Sequence, residues 1–344
     1  MLRTVLNTSS STTLPISGLN RLLSVGLTAV GDACRVARNV QARLETTRKI
    51  LKSDKSPVTV ADFAVQSVVA QRLVESLPDT LLVGEESSGL LRSDAEMLAA
   101  VIHAVREVWP EARESDVLAA VDLGNHDATA SAYWTVDPID GTKGFLRHGQ
   151  YAVSLAYIEA GEVVVGVMGC PNLSADFDRP FDQPDPSGLI FSAIAGGGCF
   201  VRPASAAHAP SQRLEASAYQ GAMRVCESVE SGHSNQGDAA RVIAALGASG
   251  APARLDSQCK YGVVARGQAD AYLRLPTRGD YVENIWDHAA GMLIAVEAGV
   301  VVTDIDGKPL DFSRGMGLTA NRGIVCASPR FHERIVAQIR ALEI

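Results

Sequence analysis

The chain has 344 residues, 47% of them apolar and 20% charged, and carries a formal net charge of −8. That length supports one large domain or two ordinary ones, each with its own core. An acidic balance spread along the chain argues against a nucleic-acid polymer as partner, and against a membrane span there is the richest apolar run, Ala289 to Val302, which Glu297 interrupts.

Residues 1 to 31 contain no acidic side chain, and they include Arg3, Arg21 and an unbroken run of Ser and Thr from Thr8 to Thr13. This composition suits a flexible tail or a transit peptide. The expected compartment is the cytoplasm, or a mitochondrion or plastid if residues 1–20 are a targeting segment. From Leu22 to Leu51 apolar residues recur at three- and four-residue spacing and predict a long amphipathic helix, with Pro57 stopping any continuation. A second helix is predicted from Thr59 to Leu77 and a strand from Thr80 to Val83. Leu91 to Ser131, polar and Ala-rich with a helical pattern near Met97 to Val108, reads as an insertion rather than core.

Strands are predicted at Tyr133–Val136, Tyr151–Glu159, Val163–Gly169 and Leu189–Ala195, with Ala160-Gly161-Glu162 as a hairpin turn. Pro203 to Gln220 reads as a linker. Beyond it come a strand at Met223–Cys226, a helix at Gly237–Leu246, a strand at Ala271–Leu275, a helix at His288–Ala298 and a terminal helix from Phe331. Alternating strands and helices in both halves predict α/β layers. The expected division is a tail at 1–17, one lobe at 18–220 and a second at 221–344. The six cysteines form no Cys-x-x-Cys pair and read as reduced core thiols.

Chemistry concentrates in the acids. In Trp134-Thr-Val-Asp137-Pro-Ile-Asp140-Gly-Thr142 an apolar strand delivers Asp137, and Pro138 predicts a turn that returns Asp140 to the same side. Two facing carboxylates repel unless a divalent cation neutralises them, and ligands that are all oxygen favour Mg²⁺ over zinc. If a helix or tight turn begins at Gly141 and Thr142, their N–H groups form an anion pocket beside that cation. Glu85 follows another apolar strand, with Glu86 as its more exposed neighbour. Taken singly, Asp62 also reads as a solvated helix residue, Glu85 as a loop acid and Asp287 as a helix cap.

The strings WTVDPIDGTKGF, GEES and WDHAAG followed by EAG resemble the lithium-sensitive, Mg²⁺-dependent inositol monophosphatase superfamily, from about Leu22 to the C-terminus. Within it, SPVTVADFAVQ, DPIDGTKGFLR, GCPNL and DSQCKYGVVARGQADAYLRLP are most similar to the 3′(2′),5′-bisphosphate nucleotidases. The resemblance implies an αβαβα sandwich, a metal-binding first lobe, a substrate-binding second lobe and two or three Mg²⁺ ions. Glu85, Asp137 and the Ile139 carbonyl would hold one ion; Asp137, Asp140 and Asp287 a second; Asp62 and Thr142 would orient and deprotonate the attacking water. Gly141, Thr142, His233, Ser257, Lys260 and Arg274 would contact the substrate.

The implied reaction removes the 3′-phosphate of adenosine 3′,5′-bisphosphate, and of its sulfated relative, giving AMP and linking the chain to sulfur assimilation. A monomer is the expected state. An inositol phosphate phosphatase is the alternative if Lys260 and Arg274 lie far from the metal acids, and a non-enzymatic sensor of Mg²⁺ and a phospho-ligand is a second. Two departures bear on substrate preference: no Lys or Arg occurs between Arg113 and Lys143, and Met316 stands where relatives tend to be basic.

Overall fold

The computed structural model describes residues 15–44, 57–206, 209–216, 221–230, 232, 234–248, 251–277 and 281–344. The first half contains α1 (Ile16–Ala42), α2 (Pro57–Ser76), β1 (Leu82–Gly84), α3 (Gly89–Ser93), α4 (Ala95–Val105), α5 (Glu114–Asp122), β2 (Ala132–Asp140) and α6 (Thr142–Leu146). Strands β3 (Ala152–Glu159), β4 (Glu162–Cys170), β5 (Leu189–Ile194), β6 (Gly198–Pro203) and β7 (Gln212–Leu214) complete one sheet. There follow β8 (Val225–Glu227), α7 (Gln236–Ala245), β9 (Ala253–Arg254), α8 (Cys259–Ala265), β10 (Ala271–Arg274), α9 (Ala289–Glu297), β11 (Val301–Thr303), β12 (Ile324–Ala327) and α10 (His332–Ala341).

The first sheet runs β1 to β7 in sequence order, with β1 and β2 parallel and every later pair antiparallel. The second has the order β11-β12-β10-β8-β9. Helices α1 and α2 cover one face of the first sheet, and α9 covers the other face while also reaching β11 of the second. Helices α7 and α10 pack together on the far side of the second sheet. The layers therefore run αβαβα, as the resemblance implies.

Burial on both faces explains why β2, β3 and β4 read as nearly continuous apolar runs. The turn joining β3 and β4 has φ of 52° at Ala160 and 81° at Gly161, the pair of left-handed residues that a two-residue hairpin needs to match strand twist. Trp134 of β2 is buried, meets the Tyr157 ring at a tilt of 58° with 5.1 Å between ring centroids, and faces Gly26 of α1. A Cβ on Gly26 would lie 3.5 Å from the indole and 3.2 Å from Val167, so the glycine lets α1 approach the sheet closely.

Several expectations change. The first helix starts at Ile16 rather than Leu22, and its predicted end at Leu51 lies outside the described residues. Pro57 opens α2, where its missing N–H has no helical partner to lose. The segment from Leu91 to Ser131 is core, not insertion: α4 and α5 pack on α2, burying Met97, Leu98, Val101, Val105, Val117 and Val121. The predicted linker contains β7, which extends the first sheet through pairing with β6. Asp287 does not cap α9, whose cap position is His288. All six cysteines are free and buried.

Trp134→Ala is expected to destabilise the protein by about 3–5 kcal/mol, the range for truncating a buried large aromatic. Urea unfolding checks this, and a loss below about 1 kcal/mol would show that α1 and the sheet are held by other contacts.

Candidate active site

The parallel pair β1 and β2 ends at one edge of the first sheet, and their C-terminal ends deliver the acids. Across β2 and β3, Asp137 pairs with Ser154 and Asp140 with Ala152, so a step of three residues faces a step of two. This is a bulge inside the strand rather than the predicted turn. In a regular strand residues three apart point to opposite faces; the extra residue brings Asp137 and Asp140 to the same side. Pro138, with no N–H for the ladder, sits where the ladder is interrupted.

Gly141 follows with φ of 86° and precedes α6, and a Cβ there would lie 2.9 Å from the Ser257 Cβ. Thus the end of β2 and the loop before α8 meet so closely that only glycine fits. The Thr142 hydroxyl donates to the Ile139 carbonyl at 3.5 Å. Glu85, Asp137, Ile139, Asp140, Gly141, Thr142, Ser257, Lys260, Arg274 and Asp287 all line one cavity of about 350 Å³. Asp62 of α2 is buried and is not among the residues that line this cavity, although the Glu86 and Glu85 charges act on it. His233 lies outside the described residues. A larger cavity of about 630 Å³, lined in part by Val36, Val40, Val60 and Ala100, contains none of these acids and marks no chemistry.

One carboxylate oxygen each from Asp137, Asp140 and Asp287 lie within 4.8 Å of one another. Asp137 Oδ1 is buried with no hydrogen-bond partner, and an orphaned oxygen of that kind calls for a ligand. Burial first, then the Glu85 and Asp140 charges, hold the Asp137 carboxyl well above the usual range. Against expectation Glu85 is the more exposed of the two neighbours and Glu86 the half-buried one; desolvation within the acid cluster, followed by the Asp287 and Glu86 charges, still pushes Glu85 up to about 7. Burial followed by Asp287 pushes Asp140 up to about 6, against the pull of Lys260 and a backbone N–H from Gln258. Asp62 is raised by burial, then by Glu86 and Glu85. Such crowding is relieved by a divalent cation, and an all-oxygen donor set fits Mg²⁺. The nearby trio Glu283, Asp287 and His288 is less free: Glu283 is engaged by Arg274 and His288, and His288 Nδ1 meets the Tyr261 hydroxyl at 2.8 Å.

The same cavity is also lined by cations. Lys260, buried, donates from Nζ to the Ser257 carbonyl at 2.7 Å and the Leu255 carbonyl at 3.3 Å. Arg274 makes a bidentate pair with Glu283 at 2.8 and 2.7 Å. It is therefore not a free surface arginine but one held rigidly by a buried carboxylate. Gln258, which the residue patterns did not single out, ties separate segments together. Its N–H donates to Asp140, its side-chain amide donates to the Trp286 carbonyl at 2.8 Å, and its Oε1 accepts from Gly291 N–H at 3.1 Å. Lys143 and Arg147 were also missed; both pair with Glu230, at 2.8 and 2.6 Å, and Arg147 reaches Asp256 at 2.7 Å. Met316, half-exposed, accepts the Ile285 N–H on its carbonyl at 3.0 Å. Among the described residues no helix is long and apolar enough to cross a membrane.

Comparison with known proteins places this arrangement. Residues 22–343 match the model of the inositol monophosphatase family. The 3′(2′),5′-bisphosphate nucleotidase of Schizosaccharomyces pombe is 40% identical over 312 residues, covering 85% of this chain and 86% of that protein. The protein of the same name from Emericella nidulans is 42% identical over 315 residues, covering 85% and 90%. Among solved structures, an inositol monophosphatase from Anabaena (Nostoc) sp. PCC 7120 shares the fold with a TM-score of 0.59 at 17% identity, over 94% of this chain and 97% of that one. The match over nearly the whole chain, together with relatives at 40% and 42% identity, shows that the chain belongs to the inositol monophosphatase family.

Proposed function

We propose that the chain hydrolyses the 3′-phosphate of adenosine 3′,5′-bisphosphate, releasing AMP and phosphate. The observation that carries this reading is the sharing of one cavity, about 350 Å³, by the carboxylates and by Lys260 and Arg274. A substrate with two phosphates needs both sets of groups at once, whereas an inositol monophosphate has no use for the second. The names of the curated relatives support the same substrate class. The sensor reading has less support, because a sensor needs no Asp62 and Thr142 beside its ligands.

Glu85, Asp137, Asp140, Asp287 and the Ile139 carbonyl would hold Mg²⁺, which when bound offsets their charge and withdraws electron density from the phosphoryl group. Asp62 accepts the proton of the attacking water, a task suited to a carboxyl whose burial favours the neutral form. The Thr142 hydroxyl, at the first turn of α6, orients that water. As the new P–O bond forms, the bond from phosphorus to the 3′-oxygen breaks and the leaving oxygen takes a proton from solvent. Lys260 and Arg274 hold the 5′-phosphate. Each is pre-positioned by protein acceptors and keeps N–H donors to spare, since an ammonium has three and a guanidinium five.

Phosphate release from adenosine 3′,5′-bisphosphate, AMP and inositol 1-phosphate, each with Mg²⁺ and with chelator, tests the reading. Mg²⁺-dependent turnover of the bisphosphate alone is expected; preference for inositol 1-phosphate would transfer the assignment to the sister activity. Arg274→Ala is expected to raise KM for the bisphosphate about 10- to 100-fold, the worth of a hydrogen bond to a charged group, while sparing kcat. Thermal unfolding belongs beside this assay, because Glu283 loses its partner.

Asp140→Asn is expected to abolish turnover, and near-normal rates in that variant would remove the residue from the site. The raised carboxyls also set a pH dependence. Between the ordinary value of 4.5 and about 7 for Glu85, and between 3.8 and about 6 for Asp140, the metal-free folded state holds protons that the unfolded chain has lost. Their contribution to stability is therefore present below the unfolded values and is lost as pH rises through the folded ones. The melting-temperature gain from Mg²⁺ over metal-free protein is expected to widen from about pH 5 to about pH 7.5. A gain that stays flat would show that the cation does not replace those protons.

A further inference from the structure

Gln66 lies on α2 four residues beyond Asp62, on the same face of the helix and one turn along. It is completely buried, with Val65, Val68 and Val69 as buried helix neighbours. A polar amide in such a place costs stability unless its hydrogen-bonding groups are met. They are met in a particular way. Its Oε1 accepts the Glu86 N–H at 3.0 Å, and its Nε2 donates to the Glu86 carbonyl at 2.7 Å and to the Val121 carbonyl at 3.2 Å. The side chain thus grips the main chain of one residue by both of its polar groups, as a neighbouring strand would, and also fastens the end of α5.

The surroundings are shaped to admit that amide. A Cβ on Gly84 would lie 2.6 Å from its Oε1, and a Cβ on Gly124 would lie 2.6 Å from its Nε2. The two glycines are joined by a hydrogen bond from Gly84 N–H to the Gly124 carbonyl at 2.8 Å. Glu85 stands between Gly84 and Glu86, so its backbone is pinned on both sides: by the glycine pair before it and by the Gln66 grip after it. Its side chain lines the acid cavity.

We propose that Gln66 is a positioning residue for the acid site, fixing the Glu85 carboxylate relative to Asp62 and thereby setting the affinity of the site for its divalent cation. The inference rests on the reading of Glu85 as a cation ligand. Gln66 touches neither substrate nor cation. It acts by holding a short loop that has only three strand residues of β1 to anchor it.

Mn²⁺ binding to the full chain without substrate, followed by the loss of the free-ion electron paramagnetic signal, gives a readout independent of turnover. In Gln66→Met, which keeps length and apolar volume but cannot grip Glu86, Mn²⁺ is expected to bind about 10- to 100-fold more weakly. The Mg²⁺ concentration for half-maximal turnover should rise in parallel, with KM for the bisphosphate unchanged. Gly84→Ala, which crowds the same amide from the other side, should act likewise, and the double variant should be no worse than the more affected single one. Folded variants that bind Mn²⁺ as tightly as the parent, or a fall in melting temperature with unchanged binding, would overturn the proposal. So would failure of both variants to fold, since Gln66 would then serve stability alone. If the parent itself binds no Mn²⁺, the functional reading falls together with this one; if it binds and turns over while the variants bind equally well, only this one falls.

Discussion

Crowding of negative charge around the buried Asp137 is the constraint on which the site is built. Asp137, Asp140 and Asp287 bring oxygens within 4.8 Å of one another, and Asp62 and Glu85 are close enough to raise or be raised by them. Such an arrangement opposes folding unless its charge is neutralised, and stiff elements impose it. Strand β2, covered on both faces, cannot move its acids apart. The loop carrying Glu85 is held against α2, and Gln258 links the Asp140 side to the residues flanking Asp287. Rigidity keeps the acids together, since a site that relaxed would separate its charges.

The cations follow the same logic with the signs reversed. Arg274, Glu283, His288 and Tyr261 form a chain of contacts running from the cavity into the core. A lone arginine beside so many acids would fold onto them. Its bidentate attachment to Glu283 restrains it, so the cavity keeps acids and cations together without collapse of one onto the other.

Much of this was legible in the residues and some was not. The acids at Asp137 and Asp140 announce themselves because an apolar strand, a proline and a glycine surround them; what the string does not disclose is that the strand continues through a bulge instead of turning. The region from Leu91 to Ser131 was misread because its alanines and charges dilute the apolar stripe that α4 and α5 press onto α2. Helix α8 escapes any periodicity test, since every residue in it is buried and no polar face remains to be seen. Gln66 and Gln258 act on main-chain atoms or on partners distant in sequence, and no local pattern distinguishes them from ordinary polar residues. The family strings found the site as a whole, because they span it from GEES to WDHAAG.

The placement of α9 has a consequence for the integrity of the molecule. This helix is the middle layer, shared by both sheets, and the residues just before it supply Asp287. Asp137 and Asp140 come from the first sheet, while Arg274 ends β10 of the second and Lys260 lies on α8, which precedes that strand. A polypeptide severed between the sheets would leave each fragment with only part of the cavity lining, however well either fragment held its shape. The grouping of acids and cations in one cavity is therefore a property of the joined whole, drawn from parts of the chain more than a hundred positions apart.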